Sequence, residues 1–111
     1  MPKKKNYTTE EKAALFGVLS DPTRLKLLEL LAQQKEPDAL CVFALALQLG
    51  VTQPAISQHL RVLKSAGLVK GERRGFRVHY FINHAGVDQA RAHIINVLPV
   101  KHSNKESKGD L

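Results

Sequence analysis

The sequence predicts a mostly α-helical fold that carries one short β-hairpin. Over most of the chain before Gly67, apolar residues recur three and four positions apart, which is the spacing of a helix face. After Gly67 the pattern changes to alternation, and it returns to helical spacing near His84. A chain of 111 residues has room for one modest core. We therefore assign residues 9–98 to one domain, and residues 1–8 (basic) and 99–111 (polar) to flexible tails.

Three helices are predicted in the first half of the chain. The first runs from Thr9 to about Leu19, and the glutamates of its first turn suit the positive end of the helix dipole. Asp21 is a good N-cap, so it begins a second, leucine-rich helix that runs through the following proline to about Gln34. Asp38 is the candidate N-cap of a third helix, from Ala39 to Leu49.

The fourth helix, residues 53–66, has the clearest boundaries. Thr52 is a good N-cap, and Pro54 lies in the first turn, where its missing N–H is no loss. Gly67 can end the helix in a left-handed conformation. The connection to the third helix is only residues 50–52, which is typical of a helix-turn-helix.

The two faces of this fourth helix differ in chemistry. One face is apolar and is predicted to be buried, with Ile56, Leu60 and Leu63. The opposite face has amide, hydroxyl and cationic side chains and no carboxylate, and consists of Gln53, Ser57, Gln58, Arg61, Lys64 and Ser65. Side chains of these kinds contact base edges and phosphates in the major groove of DNA. The pattern therefore predicts a recognition helix.

A β-hairpin follows the recognition helix. Its strands are predicted at residues 68–73 and 76–82, with residues 74–75 at the turn. One face of the second strand is expected to hold Phe76, Val78, Tyr80 and Ile82. Arg73, Arg74 and Arg77 cluster near the tip, where three cations repel one another unless an anion lies beside them. A hairpin in this position is a wing, and DNA phosphate would provide that anion.

The last helix is predicted from His84 to about Leu98, and it is apolar on more than one side. One side can pack on its own domain, whereas the other needs a partner. The first helix has a similar surplus of apolar residues. We therefore expect a two-fold dimer built from the first and last helices, with Leu15, Phe16, Ala90, Ile94 and Leu98 at the interface.

Charge and composition limit the classes of partner and of activity. The net charge of +7 favours a polyanion such as nucleic acid. No segment has the length of a membrane span or the pattern of a basic interfacial helix, so we expect no membrane partner. The single cysteine excludes a disulfide framework and suits a reducing cytoplasm. Ser57 and His59 point to different sides of their helix, and the sequence shows no pair of carboxylates spaced for acid–base catalysis. We therefore expect neither an enzyme nor a cofactor.

Four segments in order resemble one known family. They are residues 19–24 (Leu-Ser-Asp-Pro-Thr-Arg), 49–54 (Leu-Gly-Val-Thr-Gln-Pro), 57–60 (Ser-Gln-His-Leu) and 66–69 (Ala-Gly-Leu-Val). With the order of elements, they resemble the ArsR/SmtB family of dimeric winged-helix repressors, over about residues 10–98. The resemblance implies a homodimer on a palindromic operator, released when a small-molecule or metal-ion effector binds. By position it implies DNA contacts from Thr52, Gln53, Ser57, Gln58 and Arg61.

The effector sites of that family are altered in this chain. Members that sense arsenic, lead or cadmium carry Cys-Val-Cys-Asp on the third helix, whereas residues 41–44 here read Cys-Val-Phe-Ala. Soft metals prefer two or three convergent thiolates, so we expect no such metal at Cys41, which is predicted to fill core space.

The second family site, used for zinc, cobalt or nickel, is also incomplete. Asn96 and Pro99 occupy two of its positions at the end of the last helix. We expect no bound metal. One nitrogen–oxygen alternative is left, in which His84 and Asp88, four residues apart, join a histidine of the partner chain, whereas His93 lies off the face that they share.

Two other functions fit a winged helix. A protein-interaction module would present an acidic or apolar recognition face, which Gln53 and Arg61 contradict. A non-specific architectural DNA binder would use cations and apolar wedges with few base-reading amides, which Gln53, Ser57 and Gln58 argue against. Sequence-specific DNA binding by a homodimeric repressor is the function the sequence favours.

Overall fold

Five helices and a three-stranded antiparallel sheet form the fold in this computed structural model, which describes residues 6–35 and 40–101. In chain order the elements are α1 Thr9–Leu19, α2 Pro22–Gln33, β1 Leu40–Cys41, α3 Val42–Leu49, α4 Gln53–Ser65, β2 Val69–Arg74, β3 Arg77–Ile82 and α5 His84–Ile95. The strand order is β1-β3-β2, so β3 is central. A mostly helical fold with a β-hairpin wing is thus confirmed. None of the described helices is long and apolar enough to cross a membrane.

Side-chain caps explain where α1, α2 and α4 begin. The Asp21 carboxylate accepts from the backbone N–H of Thr23 at 2.8 Å, and the Thr52 hydroxyl accepts from that of Ala55 at 3.2 Å, so both predicted N-caps are confirmed. Thr8 caps α1 in a reciprocal capping box with Glu11. These bonds satisfy N–H groups that the first helical turn leaves without a partner.

Two helix boundaries were predicted wrongly. Leu40 and Cys41, expected inside the third helix, form β1 and pair with Tyr80 and His79 of β3. The predicted cap Asp38 lies outside the described residues. Helix α5 ends at Ile95, three residues before the expected Leu98, and residues 96–98 continue as a turn. Apolar spacing alone therefore predicted a helix that is three residues too long.

The wing was predicted with its turn one residue too early. The ladder closes at the pair Arg74 and Arg77, so the loop is Gly75 and Phe76. Gly75 has a φ of 66°, a left-handed conformation that glycine adopts without strain. Phe76 is fully exposed in this loop, because it lies beyond the last pair of the ladder and not on the apolar face of β3.

The core lies between the helices and the inner face of the sheet. Its fully buried side chains are Leu27, Leu45, Ile56, Leu60, Leu63 and Val69. Tyr7, which the sequence placed in the N-terminal tail, also packs against this core and stacks on His93 with ring centroids 3.9 Å apart. The folded domain therefore includes Tyr7.

The junction between α4 and α5 is a close contact. Gly67 ends α4 with a φ of 80°, as predicted. Asn83 donates from its side chain to the Gly67 carbonyl at 2.9 Å, and also caps α5. A Cβ atom on Gly86 would lie 1.8 Å from the same carbonyl oxygen, so glycine is required there. This junction holds the C-terminal end of α4 against the start of α5.

Candidate nucleic-acid interface

The outer face of α4 is polar and exposed. The core positions Ile56, Leu60 and Leu63 hold the helix against the domain and turn its other side to solvent. The exposed side chains include all of those predicted to contact DNA on this helix: Gln53, Ser57, Gln58, Arg61 and Lys64. Thr52 is exposed as well, but its hydroxyl caps the helix. The predicted face therefore exists as a surface.

Two of these side chains bind each other. The Arg61 guanidinium donates to Gln58 Oε1 at 2.7 Å, across one turn of α4. A side-chain carbonyl oxygen has two lone pairs, so Gln58 keeps a second acceptor position and both amide hydrogens. The bond orders two long side chains before any ligand is present, which lowers the entropy lost on binding.

The three wing arginines have separate environments. Arg73 is exposed, and its guanidinium makes only a long contact of 3.5 Å with the Gly75 carbonyl. Arg74 binds the Glu72 carboxylate at 2.9 Å and lies 5.0 Å from the centroid of the Phe81 ring. The sequence prediction overlooked Glu72, which offsets part of the positive charge of the wing.

Arg77 is not a free cation at the tip. Its guanidinium lies over the Phe43 ring, 5.8 Å from the centroid, and donates to Cys41 Sγ at 3.6 Å. It therefore joins the wing to the start of α3. The predicted arginine cluster is divided between the two faces of the wing, since strand alternation places Arg73 on one face and Arg74 and Arg77 on the other.

Cys41 lies at the start of α3, beside a cavity of about 450 Å³. It is 7% exposed, as expected for a core cysteine. Burial raises the pKa of its thiol, but the backbone N–H of Ala44 and the Arg77 guanidinium outweigh that effect, so the pKa lies below its ordinary value.

No group of three potential metal ligands occurs within the described part of one chain. His84 and Asp88 are exposed on α5, and the alternative site across a dimer stays a prediction. His93 is buried against Tyr7, which makes it a packing residue of its own domain.

His59 is half-buried and contacts Arg24 of α2. The distance between Arg24 Nη1 and His59 Nδ1 is 3.2 Å. The sequence did not predict this contact. The one available signal for Arg24 was its position in the Leu-Ser-Asp-Pro-Thr-Arg segment.

The residues predicted for the dimer interface are divided by the structure. Leu15 and Ala90 are 5% and 4% exposed within one chain, because they face the core of their own domain. Ile94 is half-buried against the same core. Phe16 and Leu98 are exposed, at 39% and 77%, and so is Ile95, at 61%. An exposed apolar surface is therefore present on α1 and on the end of α5, but its composition differs from the prediction.

A larger cavity of about 740 Å³ opens between α1 and α4. It is lined mainly by apolar side chains, and its charged groups are Glu11 and Arg61. Both already have intramolecular partners, in Thr8 and Gln58 respectively. Neither of these two charged groups is therefore unpaired.

Similar proteins share this architecture. A homodimeric winged helix-turn-helix DNA-binding domain from Mycobacterium bovis, a possible ArsR-family transcriptional regulator, matches with a TM-score of 0.62 at 36% identity, over 75% of this chain and 71% of that one. The transcriptional repressor BigR from Xylella fastidiosa matches with a TM-score of 0.60 at 32% identity, over 75% and 79%. The fold is thus that of winged helix-turn-helix regulators.

Sequence comparison identifies the family. The family model for bacterial regulatory proteins of the arsR family matches residues 21–70. An uncharacterised HTH-type transcriptional regulator of Methanocaldococcus jannaschii is 42% identical over 73 residues, which cover 66% of this chain and 79% of that protein. The chain belongs to the ArsR family. The arsenical resistance operon repressor of Escherichia coli is 42% identical over 66 residues, but there the match covers 60% of this chain and 54% of the repressor. This chain thus matches about half the length of that curated relative.

Proposed function

We propose that this protein is a sequence-specific DNA-binding transcriptional regulator that acts as a homodimeric repressor on a palindromic operator. One observation carries the proposal. The exposed face of α4 holds two amides, two hydroxyls and two cations, and no carboxylate, while its opposite face is fully buried. This combination suits a helix that lies in the major groove and contacts base edges with its side chains.

The roles of the exposed residues follow from their chemistry. Gln53 and Gln58 can each bind an adenine edge through two hydrogen bonds, and Arg61 suits guanine or phosphate. Lys64 is at the last turn of α4 and Arg73 at the wing tip, and both suit phosphate. Arg74 and Arg77 orient the wing through their own contacts and add to its positive field.

Dimerisation is supported by the apolar surface that one chain leaves exposed. Helices α1 and α5 contact each other, and each carries exposed large apolar side chains, Phe16 on α1 and Ile95 on α5. A two-fold axis through this surface would bury both sets and would present two copies of α4 to the same side of DNA.

Control of DNA binding is proposed not to use a soft metal held by clustered thiolates. Cys41 is the single cysteine of the chain, and its thiol already accepts from Arg77. Soft-metal sites of the arsenic or cadmium type need further thiolates.

Selection of binding sites from a random DNA library with the purified full chain tests the proposal. We expect enrichment of an inverted repeat whose half-sites are separated by about one helical turn, roughly 10 base pairs. Binding without sequence enrichment would instead indicate an architectural DNA binder. Absence of DNA binding at low salt would favour a protein-interaction module.

A further inference from the structure

Arg24 bridges three helices from a half-buried position. Its side chain is 17% exposed. Nε donates to the Val18 carbonyl at 2.7 Å and Nη2 to the Gly17 carbonyl at 3.4 Å, both in the last turns of α1. Nη1 points the other way and contacts His59 Nδ1 of α4 at 3.2 Å. One guanidinium therefore connects the end of α1, the start of α2 and the middle of α4.

The contact between Arg24 and the end of α1 has a physical reason. The last carbonyls of a helix lack backbone partners and carry partial negative charge. Helix α1 has no basic residue in its last turn. Arg24 supplies the missing cation from the next helix, and Ser20 adds a hydroxyl bond of 2.7 Å to the Gly17 carbonyl.

The α4 end of the bridge depends on the tautomer of His59. A guanidinium can only donate, so His59 Nδ1 must be the acceptor. This bond requires the His59 tautomer that has its proton on Nε2. The Asp21 carboxylate lies 4.0 Å from the same guanidinium and holds it in place from the α2 side.

A directional bond at this place is important because the core contacts in the middle of α4 are apolar and are not directional. Ile56, Leu60 and Leu63 hold the helix by apolar burial, which fixes its depth more firmly than its rotation. A hydrogen bond weakens steeply with a change of angle. His59 also directly follows Gln58, so rotation about the helix axis moves both side chains together.

We propose that Arg24 and His59 are positioning residues that fix the rotation of α4, and thereby set affinity for the specific DNA sequence but not for DNA in general. This inference rests on the proposed function. Base contacts need correct angles, whereas phosphate contacts depend mainly on charge and tolerate small rotations. The same bridge ends on α1, so it also connects the proposed dimer surface to the recognition helix.

The test compares variants that remove the bond with variants that preserve it. His59→Leu removes the acceptor, whereas His59→Asn keeps an oxygen near the position of Nδ1. Arg24→Gln removes the bridge, and its control Lys26→Gln removes the same charge from an exposed position of α2. Affinities are measured for the selected operator and for unrelated DNA of equal length.

We expect His59→Leu and Arg24→Gln each to lower operator affinity about tenfold, within the range of known coupling effects. Affinity for unrelated DNA should change less than about twofold relative to Lys26→Gln. His59→Asn should recover most of the loss. The double variant should be no worse than Arg24→Gln alone, because that change already removes the contact with His59.

Three results would overturn the inference. Variants that bind the operator as well as the wild type would exclude a positioning role. An equal loss on both kinds of DNA would show a general structural defect instead. If the variants do not fold, nitrogen NMR of the wild-type chain decides, because a His59 proton on Nδ1 would contradict the bridge. A wild type that binds every sequence equally would overturn the proposed function itself, which separates the two failures.

Discussion

Helices α4 and α5 are similar in length, with 13 and 12 residues, but they expose opposite kinds of surface. Helix α4 buries its apolar face completely and exposes amides and cations. Helix α5 buries Ala90 and His93 and exposes Ile95 at its end, followed by Leu98 in the next turn. A polar, cationic face is suited to a polyanion, whereas exposed apolar side chains favour a protein partner.

The comparison indicates that one small domain has two separate binding surfaces. In the proposed function, helix α4 contacts DNA, and α5 together with α1 contacts a second copy of the chain. The junction of Gly67, Asn83 and Gly86 connects the two helices directly. Changes at each surface and at the junction should therefore have separable effects.

The largest expected effect is the loss of the dimer. Ile95→Glu places a charge on the exposed apolar end of α5, so it should give monomers without disturbing the core. Operator affinity should fall by about 100-fold or more, because the second half-site is no longer bound by a linked copy. Sedimentation velocity measures the oligomeric state, and Leu47→Glu, at an equally exposed position of α3, is the control. A wild-type monomer at micromolar concentration would contradict this prediction.

The junction between the helices should not tolerate a side chain. Gly86→Ala places a methyl group against the Gly67 carbonyl, so unfolding free energy should fall by about 1–3 kcal/mol. Gly17→Ala is the matched control, since no atom lies within 4 Å of the added Cβ. That change, inside α1, should stabilise the protein by about 0.5–1 kcal/mol. Chemical denaturation measures both values, and equal effects would contradict the close contact.

A smaller effect is expected at the wing. Arg73→Ala should weaken binding to specific and unrelated DNA alike, and should reduce the slope of log affinity against log salt by about 1. Arg74→Ala should change the slope less, because Glu72 already neutralises that guanidinium. Titrations at several salt concentrations compare the two variants. If both variants reduced the salt slope equally, the ion pair between Arg74 and Glu72 would have to open when the protein binds DNA.

The smallest effect is expected at Cys41. Serine is a better N-cap than cysteine and can also accept from Arg77, so Cys41→Ser should change unfolding free energy by no more than about 0.5 kcal/mol. Operator affinity should be unchanged, with or without arsenite or cadmium. Release of DNA by either metal in the wild type, but not in Cys41→Ser, would refute the proposed absence of soft-metal control.

The sequence predicted α4 well because its signals are local. Thr52, Gly67 and the spacing of the apolar residues all lie within one segment. Strand β1 could not be predicted in this way, since two residues become a strand only by pairing with β3. Gln34 stabilises that pairing by donating to the Tyr80 carbonyl at 2.6 Å and accepting from the Leu40 N–H at 2.8 Å.

At the candidate site, too, contacts between residues far apart in the sequence could not be predicted. The exposed residues of α4 follow from periodicity, but their partners do not. Arg24 and His59 are 35 residues apart, and Arg77 and Cys41 are 36 apart, so neither contact has a signal in sequence spacing. The predicted dimer residues are divided for another reason, since Leu15 and Ala90 face the core of their own domain. Periodicity shows that α5 has two apolar sides but not which of them faces its own core.

The most direct test of base reading by α4 measures Gln58→Ala against every single-base variant of the selected operator. We predict that this change costs about 1–3 kcal/mol on the operator and abolishes discrimination at one position of each half-site, while the other positions keep theirs. Arg73→Ala should leave discrimination intact at every position. An equal loss of affinity for all sequences with Gln58→Ala would contradict the assignment of α4 as the helix that reads DNA.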